Sequence, residues 1–422
     1  MKKFLIKGPT KGVKGTIIIS GAKNSCLPIM ASSILFNKEI TIKNIPLVND
    51  VFTMRKLLIS LGSKVEISKE KKTMKIVNTK KHKLTVPYKL VSTMRAGVLT
   101  MGSLLGRYQK KKIYVAKSGG CSLGIRDINY HLAGFKSLSA SNSLENGYVK
   151  LYSRKGLKGG FFKFPKVTVT GTSNLIMASI FAKGVQTLEN ISIEPEVIDL
   201  INFLNNSGAD IMFTGKRILR IKGIKKLDYG SHEIIGDRIE AFSYLCVAAI
   251  TKGQILIKNI NPKHLLTELK ALKRIGCYIK VSKNSIFLKS MKKHKPIKIE
   301  TGPFPKYATD NMPMVLALLT KTPGTSFISE KIFSNRFMAV PELNRIGAKI
   351  TIKNNNATVV GQKNLYGADC ISSDLRTTFS IILGALAAKG TSKIHRIYHG
   401  LRGYDGIERK LKSLGVLIKS KN

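Results

Sequence analysis

The stretch MRKLLISLGSKVEI, residues 54–67, changes its period at one glycine. Up to Leu61 the apolar residues fall at helical spacing, and after Gly62 they alternate with polar ones as in a half-buried strand. The same pattern returns along the chain: INFLNNSG (201–208), LKALKRIG (269–276) and IERKLKSLG (407–415) end alike. The copies close at Gly62, Ser139, Gly208, Gly276, Gly347 and Gly415, 68 to 77 residues apart. A spacing of this size is a whole supersecondary unit, repeated six times.

Each copy opens with an apolar stretch at helical spacing: ASSIL, VLTMGSLL, LIMASIFA, LCVAAI, VLALLT and IILGALAA. A short β-rich run follows each, as ITIKNI, KKIYVA, TLENIS, ILIKNI, TSFISE and SKIHRI, before the second helix and its strand. The chain therefore reads as α/β with six related units. One unit cannot bury both faces of its helices, so 422 residues suit two domains of three units, dividing near Ile234 to Arg238.

The formal net charge is +48, from 72 Lys+Arg against 24 Asp+Glu. Only 15 of the basic residues are arginine, and the 57 lysines spread along every segment. Base and phosphate recognition favours arginine forks and interleaved aromatics, so this reads as a solvated basic surface without a specific nucleic-acid partner. It would draw in anionic small substrates. No apolar run approaches 18 residues and MKKFLIKGPTKG lacks a signal-peptide core, so a cytoplasmic location is expected, with no membrane partner. Five widely spaced cysteines without CxxC pairing indicate neither disulfides nor zinc. Cys26, Cys246 and Cys277 read as small core residues, and Cys370, in GADCISS, as a structural one whose surroundings leave its place open. No phosphate loop, dinucleotide fingerprint or metal motif occurs, so neither cofactor nor metal is expected.

Cys121 differs from the others. It stands in AKSGGCSLGIRDINYH with glycines on both sides and Lys117 and Arg126 nearby, a setting for a mobile, thiolate-prone cysteine. Lys23 and Asn24 in SGAKNSCLP follow a strand where a helix begins, which offers an anion site of ammonium and free N–H groups. The scarce arginines Arg95, Arg126, Arg238, Arg336, Arg376 and Arg402 fall at loop-to-helix junctions of the repeats, where guanidiniums can grip carboxylate or phosphate. Asp237, Asp310 and Asp374 stand at helix starts, either as N-caps or as general bases.

In order along the chain, GAKNS, MRAG, SGGCSLGIRD, TGTSNLIMA, EPEVIDLINFL, GDRIEA, PFPKYATD, NRFMAVPEL, SDLR and LRGYDGIERKL resemble the UDP-N-acetylglucosamine 1-carboxyvinyltransferases, enolpyruvyl transferases of peptidoglycan synthesis. The resemblance runs from Gly21 to Leu411. It implies an inverted α/β architecture with one domain of residues 22–235, a second of 1–21 with 236–422, and the active site between them. It implies phosphoenolpyruvate and UDP-N-acetylglucosamine as substrates, joined with release of phosphate through a tetrahedral ketal. Lys23, Arg126 and Arg402 would hold phosphoenolpyruvate, Cys121 would act from a lid, Asp310 would serve as base and Asp374 would relay protons. Asn24, Arg95, Gly171, Asp237 and Arg336 would line the substrate side. The chain departs from the family pattern at Asp127 and Asn129, beside the uridine pocket, and at Lys306 and Ala308, where PFPKYATD replaces PYPGFPTD. The related shikimate 3-phosphate enolpyruvyl transferases share the fold but are not expected to carry the GGC loop. A basic nucleic-acid-binding protein on the same scaffold is the reading from another class.

Overall fold

The computed structural model describes residues 2–79, 81–116 and 128–421. All six turns that close the repeats have positive φ: Gly62 112°, Ser139 64°, Gly208 101°, Gly276 119°, Gly347 99° and Gly415 82°. That region costs an L-residue about 1–2 kcal/mol and glycine almost nothing, so glycine fills five of the six. Each turn ends an outer helix: Asn49–Leu61, Asn129–Ser137, Pro195–Asn206, Leu266–Ile275, Val340–Arg345 and Ile407–Lys412.

Every repeat supplies one four-stranded sheet. In the first, Gly230–Glu233 runs parallel to Ile40–Lys43, followed by Thr73–Asn78 and Ser63–Ser68 antiparallel. The other five keep this order of one parallel and two antiparallel pairings. Two sheets take strands from the far N-terminus. Lys3–Gly8 pairs antiparallel with both Gly390–His395 and Ile418–Lys421, and Lys14–Ile18 pairs parallel with Gln254–Lys258. The chain accordingly divides into two compact units, residues 2–20 with 236–421 and the described residues of 21–235.

At the centre of the 21–235 unit lie three helices, Lys23–Ser32, Thr100–Arg107 and Val169–Ser179. The other unit has Arg238–Ile250, Met312–Leu319 and Leu375–Ala387, and every residue of the first two is buried. Helices buried on all sides are core helices, and the sheets wrap them. Their approach requires small residues: a Cβ on Gly102 would lie 2.2 Å from the carbonyl oxygen of Asn174. Three asparagines of the repeated strand ends, Asn44, Asn190 and Asn259, also adopt positive φ. Their amides donate to the carbonyls of Ile234, Phe164 and Ile19 at 2.7, 2.8 and 2.7 Å, tying each strand end to its neighbour.

The C-terminal ends of each helix trio come together. A cavity of about 550 Å³ is lined by Leu35, Arg107, Phe181 and Lys226 of one unit, and one of about 210 Å³ by Ile250, Lys252, Lys321 and Lys389 of the other. Cations there neutralise exposed helix carbonyls: Arg107 donates to the carbonyls of Ile34 and Phe36 at 2.7 and 2.6 Å. Cys26, Cys246, Cys277 and Cys370 are buried free thiols, and burial pushes Cys277 and Cys370 up to about 12. They are core residues.

Candidate active site

The N-terminal end of a helix concentrates unpaired N–H groups and positive potential, and Lys23, Asn24, Gly171, Asp237, Asp310 and Asp374 stand at or just before the starts of the central helices.

In the 21–235 unit, Lys23 is the first residue of its helix and Asn24 the second. The Lys23 ammonium meets the Asp50 carboxylate at 3.1 Å, with side chains 14% and 5% exposed. Asp50 lies in the first turn of Asn49–Leu61, where in sequence alone an Asp reads as a capping residue. Arg95 opens the turn Arg95–Leu99 that leads into Thr100–Arg107. Gly171 sits in the first turn of Val169–Ser179, its N–H donating to the Thr168 hydroxyl at 3.3 Å. Between these two helices the Asn174 amide faces His131 Nδ1 at 2.8 Å and donates to the Val98 carbonyl at 3.1 Å, while the Gly102 N–H donates to its oxygen at 2.9 Å. Burial, reinforced by the Arg95 charge, pushes His131 down to about 3, so the imidazole is neutral. Asn129 begins the helix Asn129–Ser137. Cys121, Arg126 and Asp127 lie outside the described residues.

In the other unit Asp310 is the hub. Its Oδ1 accepts from Arg336 at 2.6 Å, and its Oδ2 accepts from Arg376 Nη2 at 2.8 Å and Nε at 3.2 Å. The carboxylate remains 28% exposed. Burial alone would push the Arg376 guanidinium down; Asp310, assisted by Tyr404 and Asp237, reverses this and drives it up. The turn Thr309–Asn311 is itself held. Arg336 Nε donates to the Thr309 carbonyl at 3.0 Å, the Thr309 hydroxyl to Glu330 at 3.0 Å, and the Ala308 N–H to Glu268 at 2.9 Å.

Arg336 donates to Asp310 and Thr309 and is 2% exposed. Of the two roles open to them, Asp237 and Asp374 make the N-cap contacts: Asp237 accepts from the N–H groups of Ile239 and Glu240 at 2.8 and 3.1 Å, and Asp374 from those of Arg376 and Thr377 at 2.8 and 3.2 Å. Thr377 adds its hydroxyl to Asp374. Arg402 ends the turn Ile397–Arg402, and its charge reaches His399, which burial lowers, as does that of Asp374 with opposite sign. Lys306 is exposed, 3.6 Å from Glu300.

Residues 7–411 match the family model described as EPSP synthase (3-phosphoshikimate 1-carboxyvinyltransferase). A protein of Pelagibacter ubique named UDP-N-acetylglucosamine 1-carboxyvinyltransferase is 47% identical over 422 residues, the whole of both chains. The chain belongs to the UDP-N-acetylglucosamine 1-carboxyvinyltransferase family. A relative of the same name from Helicobacter pylori is 41% identical over 408 residues, 96% of each chain. Among solved structures, the enolpyruvyl transferase NikO from Streptomyces tendae superposes with a TM-score of 0.89 at 19% identity, covering 100% of this chain and 99% of that one. EPSP synthase from Acinetobacter baumannii gives 0.79 at 16%, covering all of both chains. These structural likenesses establish the enolpyruvyl transferase fold. Glu268 and Glu330, on which the Asp310 turn rests, lie 42 and 20 residues from Asp310, and their sequence surroundings carry no signal that would have found them.

Proposed function

We propose that this chain transfers the enolpyruvyl group of phosphoenolpyruvate to the 3′-hydroxyl of UDP-N-acetylglucosamine in the cytoplasm, the first committed step of peptidoglycan synthesis. The observation that carries this is identity of 47% over the full length to a relative of that name. In the addition step the hydroxyl oxygen bonds to C2 of phosphoenolpyruvate, its proton passes to a base, and C3 gains a proton to give the ketal. In the elimination step C3 loses a proton, the C2–O bond to phosphate breaks, and phosphate leaves.

The roles fall on both units. Asp310 is the base toward the hydroxyl, held by Arg336 and Arg376 so that its position is fixed before substrate arrives. Lys23 binds phosphoenolpyruvate and stabilises the departing phosphate, with Asp50 fixing its ammonium. Arg126 and Arg402 complete the anion grip and Cys121 is the acid toward C3. Asp374 orders the helix start from which Arg376 projects while lending its charge to proton relay. Arg95, Asn24, Gly171 and Asp237 face the sugar nucleotide.

The test is inorganic phosphate released from phosphoenolpyruvate with UDP-N-acetylglucosamine or shikimate 3-phosphate as acceptor. Release is expected only with the sugar nucleotide; release with shikimate 3-phosphate instead would overturn the assignment. Cys121→Ser is expected to abolish both release and alkylation by an epoxide of the fosfomycin type.

A further inference from the structure

Glu268 lies on the outer helix Leu266–Ile275, is 2% exposed, and forms no ion pair among the described residues. Burying a carboxylate is costly unless its hydrogen bonds compensate. One of its oxygens, Oε1, receives two: the Ala308 N–H at 2.9 Å and the Asn311 side-chain amide at 3.2 Å. These donors stand on either side of Thr309 and Asp310. Asn311 is itself fully buried, and its amide oxygen has no hydrogen-bond partner, so Glu268 supplies that side chain's hold.

We propose that Glu268 is the positioning residue for Asp310. It pins the residue two before the carboxylate and the residue after it, and so presents the Asp310 carboxylate to Arg336 and Arg376. The pairing is specific to an N–H at position 308. Ala308 has φ −68° and ψ 127°, the conformation a proline ring imposes without any hydrogen bond. Tyr307, which precedes it, is bridged to Thr301 as extended backbone, as a residue before proline must be. At this position a hydrogen bond from Glu268 and a proline ring are thus interchangeable ways to fix the same backbone.

The inference rests on the reading of Asp310 as base, and a double-mutant cycle tests it separately. Glu268→Leu is expected to lower kcat at least tenfold with the KM of each substrate within about twofold, because binding residues elsewhere are untouched. Glu268→Gln retains the accepting oxygen and is expected to restore most of the rate, which a requirement for charge would not allow. In an Ala308→Pro background the loss caused by Glu268→Leu is expected to shrink at least threefold, since the ring now holds the turn. An equal loss in both backgrounds overturns the proposal, as does a Glu268→Gln variant as slow as the leucine variant. If Glu268→Leu fails to fold, as read by its thermal melt, the Ala308→Pro background is expected to recover a cooperative melt in the double variant, because the ring now holds the turn; no recovery overturns the proposal. Asp310→Asn is measured beside them. Full turnover in that variant removes the base reading whatever Glu268 does, whereas inactive Asp310→Asn with no coupling between positions 268 and 308 removes the Glu268 proposal alone.

Discussion

At the residue scale the chemistry turns on carboxylates held by cations: Asp310 between Arg336 and Arg376, and Asp50 against Lys23. Arg376→Lys tests the first. A lysine cannot reproduce the two-nitrogen grip on Oδ2, so kcat is expected to fall at least tenfold while the folded state survives, read by steady-state kinetics beside a thermal melt. Retention of the full rate would show that a charge at position 376 suffices without the two-nitrogen grip. The sequence made Asp310, Lys23 and the arginines visible because each is a rare residue type at a recurring phase of the repeat. It could not show that Arg336 serves Asp310, or that Glu268 and Glu330 support it. Those pairings join positions 21 to 40 residues apart and leave no local pattern.

At the element scale the repeat decided nearly everything. Helix periodicity giving way to alternation at a small residue predicts a helix, a left-handed turn and a strand, and all six turns have that backbone. Ser139 is the one that strains, with φ 64°. Ser139→Gly is expected to stabilise the protein by about 0.5–1 kcal/mol, seen as a higher denaturant midpoint at unchanged slope; a lower midpoint would mean the serine side chain contributes a bond that outweighs strain. Gly102→Ala should act in reverse. Its new methyl would meet backbone at 2.2 Å, which forces two core helices apart, with an expected loss on the order of 1–3 kcal/mol. Which strand pairs with which was less legible. The parallel strand of each sheet is only two to five residues long, and Lys3–Gly8 joins its partners from the opposite end of the chain.

For the whole molecule, buried histidines set the acid limit. Burial, with Arg107 nearby, lowers His82 to about 4; burial with Arg95 lowers His131 to about 3; burial with Lys252 lowers His294 to about 4. The unfolded chain takes up these protons near pH 6.5, where the native state refuses them. Stability is therefore complete above about pH 6.5 and falls as pH drops toward 4, on the order of 1–2 kcal/mol per histidine by pH 5. Urea midpoints measured from pH 7.5 to 5 should decline, and His131→Gln should make the decline shallower; a flat profile in the parent chain would contradict the buried-neutral state.

The placement of the first two strands also governs how the chain is made. Lys3–Gly8 is synthesised hundreds of residues before its partners Gly390–His395 and Ile418–Lys421, and Lys14–Ile18 likewise before its partner Gln254–Lys258. At roughly 5–20 residues per second the wait lasts on the order of tens of seconds, time in which residues 21–235 can complete their sheets without them. Meanwhile these two strands stand unpaired on the nascent chain, open to other chains. Lys2, Lys3, Lys7, Lys11 and Lys14 are spaced through this stretch as gatekeepers, and their charge protects a newborn chain before it serves a finished one.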